Sequence, residues 1–325
     1  MNWFERLVGF QEQSYIHTKE SLRIDDDRLV STVNGRSYGI GSLELVSLQS
    51  LRDRVAGSNG GLGKLNVSSI VGDVRQLHSD AQYSGAMFQV ASQFNLLEMV
   101  APHITPEHGV GRYEGDPTQG PACAMAAGAA TIYRNYFVPV GGIAGQTSQR
   151  QINGLSDLGQ SFSEMLGMPV DALWSMQNGY ALCTPEGLKC IDTLLADCSS
   201  EEIDVLAGKL CIGVHWDVEV TDAECPSGQT VTQAFCSALP VAYSSLEPRQ
   251  WKRFACLVLQ AAYEATLLAA VLNSQRGRSN IALLTRLGGG ACGNDDSWID
   301  QSLVCAQNKV EQYAIDVRRV TYRSK

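Results

Sequence analysis

Three short stretches hold the residue types that chemistry on a polar ligand needs. Residues 114–121 read Glu114-Gly115-Asp116-Pro117-Thr118-Gln119-Gly120-Pro121, two carboxylates around a glycine just before a helix start. A carboxylate there can orient or activate water for C–N or C–O cleavage at an anomeric carbon, where positive charge develops in the transition state. Residues 288–294 read Gly288-Gly289-Gly290-Ala291-Cys292-Gly293-Asn294 and join the apolar run NIALLTRL to a helix. Glycines let a backbone approach a ligand closely and a helix N-terminus favours an anion, so this junction reads as a pyrophosphate cradle. Gly72-Asp73-Val74 closes the run LNVSSIV. Ligands in open α/β sheets sit at the carboxyl ends of strands, where Asp73 can accept hydrogen bonds from an exocyclic amine. Plain structural roles compete at each place: Asp116 or Thr118 as a helix cap, Asp73 as a turn residue, and 288–294 as a glycine-rich turn that holds nothing.

The elements that must position these residues are clearest at the carboxyl end. Residues 250–272 carry apolar side chains at helical spacing, from Phe254 to Leu272. Residues 280–287 and 315–322 read as strands around a helix opened by Asp295, Asp296 and Ser297, good N-cap types. Upstream, strands are expected over 65–71, 86–91 and 232–243, and a small-residue helix from Pro121 onward. Strand–helix alternation predicts an α/β fold. Residues 1–57 are expected to form an accessory extension, with Asn34-Gly35 as a hairpin turn. Residues 58–325 form the main domain, its core over about 65–138 and 231–325, with 139–230 as an insertion. Gly288, Gly290 and Gly293 also satisfy G-x-G-x-x-G. Only one strand follows them, however, whereas a Rossmann nicotinamide site needs that pattern in its first βα turn.

Charge and composition narrow the partners. Twenty-five basic against 34 acidic residues give a net charge of −9, which speaks against nucleic acid as a partner. The most apolar stretch, 254–272, carries Gln260 and Glu264, and is read as a core helix and not as a membrane span. The N-terminus shows no signal-peptide pattern. None of the ten cysteines forms C-x-x-C, so they read as reduced thiols of a cytoplasmic protein, with no metal site.

The order of these motifs resembles the macrodomain family. The chain shows a first strand ending in G-D-V (VSSIVGDV) and a strand running into an Asn-containing loop (FQVASQFN). A Gly-containing loop opening a small-residue helix (TQGPACAMAAGAA) comes next. A strand with a late proline (FCSALPVAY) and a strand–glycine loop–helix (IALLTRLGGGACGN) complete the set. The resemblance implies a three-layer α/β/α sandwich with a mixed sheet, in a divergent and larger member. It points to the branch that removes ADP-ribose from arginine. The G-G-G…Q-E-E signature of poly-ADP-ribose glycohydrolases is absent. Carried over by position, Asp73 would meet the adenine amine beside Val74, and Asn95 would lie near the distal ribose. Gln119, Gly120, Pro121 and Ala122 would line the first phosphate and ribose loop. Gly289, Gly290, Ala291, Cys292, Gly293 and Asn294 would wrap the pyrophosphate, and Tyr322 would stack on adenine. Asp116, with Glu114 second, would act on water or on the departing guanidine. The implied activity is hydrolysis of ADP-ribose from a modified protein, a ubiquitin-like one being conceivable, without a cofactor. The alternative is a module that binds ADP-ribose and does not cleave it.

Overall fold

The computed structural model describes residues 1–58, 60–222 and 228–322. Seven strands form one mixed sheet: β1 (Ser42–Ser47), β2 (Asn66–Val71), β3 (Met87–Ser92), β4 (Cys211–Glu219), β5 (Thr230–Ser237), β6 (Ile281–Leu284) and β7 (Asp316–Thr321). Their order across the sheet is β1-β4-β5-β3-β6-β7-β2. β5, β3, β6, β7 and β2 run parallel, while β4 is antiparallel to both of its neighbours. The central strands β3 and β5 are buried almost throughout, because helices cover both faces there. β2 at the edge is mostly exposed.

The helices that matter to the site are α1 (Trp3–Val8), α2 (Leu48–Ala56), α3 (Val74–Ser79), α4 (Gln119–Ala126), α5 (Gly128–Tyr136), α6 (Pro185–Asp197), α7 (Pro248–Gln275) and α8 (Asp296–Lys309). α7 runs across one face of the sheet with α2, α6 and α8 around it. Its apolar residues therefore point in every direction, and Phe254 and Trp251 are fully buried. By length and composition α7 could cross a membrane, yet 89% of its most apolar window is inside the protein. Its one carboxylate there, Glu264, pairs with Arg52 at 2.6 Å and with Lys309 at 2.9 Å. α3, α4 and α5 cover the opposite face. The α/β class and the three layers are those expected from the sequence.

The expected domain limits do not follow the sheet. Residues 1–57 are not merely an extension: β1 is the edge strand beside β4, and α2 packs on α7. Residues 139–230 are not merely an insertion, since β4 lies between β1 and β5. The antiparallel pairing of two sequence-distant strands has no local pattern that announces it. Asn34-Gly35 does turn a hairpin, between Arg28–Ser31 and Ser37–Gly39, with Gly35 at φ +71°. Nine of the ten cysteines are free thiols, and Cys225 lies outside the described residues.

Candidate active site

The parallel strands end on one side of the sheet, and a groove opens there between their carboxyl ends and the loop that leads into α4. It has two adjoining parts. The first, about 310 Å³, is lined by Asp73, Val74, Ala122, Val320 and Tyr322 among others. The second, about 360 Å³, is lined by Ser92, Gln93, Glu98, Tyr180, Tyr243 and Gly288, Gly290, Ala291 and Cys292 among others. Asp116, Pro117, Thr118, Gln119 and Thr285 border both parts. The groove is thus continuous and runs from the G-D-V turn to the glycine-rich loop.

The glycine-rich loop owes its shape to two residues in the left-handed region, Gly288 at φ +74° and Gly293 at φ +70°. A Cβ on Gly288 would overlap Ala238. The loop closes on itself through Gly293 N–H to the Gly290 carbonyl and Asn294 N–H to the Gly288 carbonyl, both at 3.0 Å. The N–H groups of Gly290, Ala291 and Cys292 make no hydrogen bond with any described residue. Free backbone donors along a cavity wall can cradle an anion. Gly289 and Gly293 lie outside the lining. Asn294 is a correction: its amide is buried and donates to the Leu239 carbonyl at 2.9 Å, so it braces the loop from behind.

At the other end Asp73 caps α3, its carboxylate accepting from Arg75 N–H at 2.8 Å, and it still borders the groove. Tyr322 is 70% exposed beside it. Gln119 lies in the groove wall but turns its amide back to the sheet. Its Oε1 accepts from Ala91 N–H at 2.9 Å and its Nε2 donates to the Gln89 carbonyl at 2.8 Å. Gly120 and Pro121 border the second part, and Ala122 the first. Asn95 is the second correction. It is fully buried outside the groove lining, donating to Gln151 at 2.9 Å and accepting from Leu97 N–H at 3.1 Å. It shapes the turn after β3, in which Leu96 takes φ +63°.

The two acidic loop residues differ in surroundings. Glu114 pairs with Arg6 at 3.2 Å and accepts from Trp3 N–H at 3.2 Å, which ties it to α1. Asp116 stands between the two parts of the groove, its Oδ1 accepting from Thr118 N–H at 2.9 Å. The loop itself is pinned from the N-terminal segment. The Glu12 carboxylate accepts from Val110 N–H at 2.8 Å, Gly111 N–H at 2.6 Å and the Tyr136 hydroxyl at 2.7 Å.

Sequence reasoning missed Glu98. Its side chain lines the second part of the groove, although the residue is only 4% exposed. Oε1 has no hydrogen-bond partner among the described residues. The carboxyl lies over the first turn of α4, where Gly120 makes room for it: a Cβ on Gly120 would meet the Ala91 carbonyl oxygen and stand 2.6 Å from Glu98 Oε2. Burial pushes the Glu98 carboxyl up to about 8. The Arg134 charge works against that rise and the Asp116 carboxylate adds to it. Glu98 therefore holds a proton at neutral pH. The signal was a lone carboxylate inside the apolar run Leu96-Leu97-Glu98-Met99-Val100, where a buried charge needs a reason. His108, in the segment 103–120, caps its own turn at Thr105 and stands apart from the groove.

A consequence for stability follows. Glu98 titrates near 4.5 when unfolded and near 8 when folded. Between those values the folded protein holds a proton that the unfolded chain has released, so stability is lost as pH rises through that window. Urea unfolding between pH 6.5 and 8 is expected to show the wild type weakening with pH, and Glu98→Gln to remove most of that slope. An unchanged slope in the variant would contradict the burial of this carboxyl.

No family model matches the chain, and no curated protein does. Among solved structures it is similar to a poly(ADP-ribose) glycohydrolase from Thermomonospora curvata, at 14% identity and TM-score 0.45, over 95% of this chain and 91% of that one. The same enzyme bound to the inhibitor ADP-HPD matches at 13% identity and TM-score 0.47 over the same shares. A poly(ADP-ribose) glycohydrolase from Deinococcus radiodurans in complex with ADP-ribose matches at 10% identity and TM-score 0.44, over 86% of this chain and 87% of that one. These three are named for poly(ADP-ribose), whereas the motif order pointed toward the arginine-directed branch.

Proposed function

We propose that the chain is a hydrolase that binds ADP-ribose along this groove and releases it from a modified protein side chain, arginine preferred. The observation that carries the reading is Glu98: a buried, proton-holding carboxyl without a hydrogen-bond partner on Oε1, facing a groove that Asp116 borders. Burying such a group costs stability, and buried carboxyls of this kind cluster at functional sites.

Adenine would lie in the part bordered by Asp73, Val74 and Tyr322. The pyrophosphate would meet the free N–H groups of Gly290, Ala291 and Cys292. The anomeric carbon would then face Asp116 and Glu98. As the C1″–N bond breaks, its electron pair leaves with the guanidine nitrogen, which takes the Glu98 proton. Positive charge on the ribose is stabilised by Asp116 and the pyrophosphate. Water adds at C1″ and gives its proton to Asp116, and return of that proton to Glu98 restores the site. The Glu98 carboxylate formed in passing sits at the N-terminal turn of α4, where the helix dipole favours negative charge.

The alternative, a module that reads ADP-ribose without cleaving it, leaves Glu98 without a task. Calorimetric titration with ADP-ribose, with AMP and NAD as controls, tests the shared part of both readings. Micromolar binding to ADP-ribose, tighter than to AMP, is expected. No binding at millimolar ligand would remove both.

A further inference from the structure

Beside the adenine end of the groove is a smaller cavity of about 150 Å³, lined by Trp3, Arg6, Arg36, Tyr38, Arg75 and Asp222 among others. It shares Arg75 and Met125 with the first part of the groove. Three guanidinium groups thus converge on one hollow in a chain with net charge −9. Two are partly used: Arg75 is held by Asp222 at 2.6 Å, and Arg6 by Glu114 at 3.2 Å. Arg36 is held through one nitrogen only, donating to the Arg6 carbonyl at 2.9 Å, and it forms no ion pair among the described residues. That hydrogen bond anchors the guanidinium at the rim and leaves its charge uncompensated there. Helix α1, the hairpin before β1 and the start of α3 meet around this hollow. The space admits one phosphoryl group and is too small for a second nucleoside.

We infer that this cavity is an anion subsite for a phosphoryl group carried on the adenosine ribose of the ligand. The inference rests on the proposed placing of adenosine in the first part of the groove. Planar guanidinium groups match phosphate oxygens in geometry and charge. The group that fits is a phosphate ester carried directly on the 2′-oxygen.

The test compares affinities of the full chain for ADP-ribose and ADP-ribose 2′-phosphate, by calorimetry at two salt concentrations. The extra phosphate is expected to tighten binding roughly tenfold at low salt, less at high salt, through one charge-assisted contact. Arg36→Gln should erase that gain and leave ADP-ribose affinity unchanged, since Arg36 lies outside the groove. No gain from the 2′-phosphate, or a gain that survives Arg36→Gln, overturns the inference. Inorganic pyrophosphate serves as a probe that needs no adenosine site. If ADP-ribose fails to bind while pyrophosphate binds in an Arg36-dependent way, the reading of the groove falls and the anion subsite stands. If neither binds, both fall.

Discussion

Glu98→Gln is expected to lower kcat for ADP-ribose release by about 10²–10⁴-fold, the range for a general acid, while ADP-ribose affinity stays within a fewfold of wild type. The reasoning is one of charge and shape. Wild-type Glu98 is uncharged at neutral pH because burial holds its proton in place. Glutamine has the same size and no charge, so the ground state and the packing against Gly120 change little. Only the ability to give up a proton is lost. In the wild type, kcat is expected to fall as pH rises past about 8, where Glu98 loses its proton. Steady-state rates over pH 6–9.5 with both proteins check this. A Glu98→Gln enzyme with near-normal kcat would remove Glu98 from the chemistry.

Asp116→Asn is expected to lower kcat by at least about a hundredfold, again with binding kept, because it removes the group that takes the proton from water. Asparagine retains a side-chain oxygen for the Thr118 N–H, so the turn into α4 is preserved. A second effect distinguishes a nearby charge from a merely structural residue. The Asp116 carboxylate helps to hold the Glu98 proton. Without that negative charge the Glu98 carboxylate is easier to form, so the alkaline limb of the residual activity should move to lower pH. An alkaline limb that stays in place would mean that the two carboxyls do not interact. Glu114, bound to Arg6 and the Trp3 N–H, is expected to matter less and through loop position.

How far the sequence carried the reading depended on whether a feature is local. The glycine loop, the G-D-V turn and α7 were legible because turn chemistry and helical period are written in adjacent residues. The carboxyl ends of β2, β6 and β7 then place those turns on one side of the sheet, as parallel strands must. The pairing of β1 with β4 joins residues about 170 apart in an antiparallel ladder, and no short pattern encodes that. Asn95 and Asn294 were misplaced for a related reason. A motif gives their position along the chain, but an asparagine amide is equally suited to bracing a turn from inside, and burial decides which. Glu98 went unseen because its importance comes from being enclosed. Tyr113 and Gly120 approach it from two other segments, and Gly120 leaves the space that its carboxyl fills. The linkage that is cleaved is the least legible part. Arginine rests on the resemblance alone.

The most direct measurement is release of free ADP-ribose from arginine-ADP-ribosylated protein, with the enzyme at a hundredth or less of the substrate concentration and Glu98→Gln in parallel. Many turnovers per wild-type molecule and almost none for the variant are expected, with ADP-ribose as the product. Binding of ADP-ribose with no release from this substrate, nor from ADP-ribose polymer, would contradict the hydrolase and leave a reader of the same ligand.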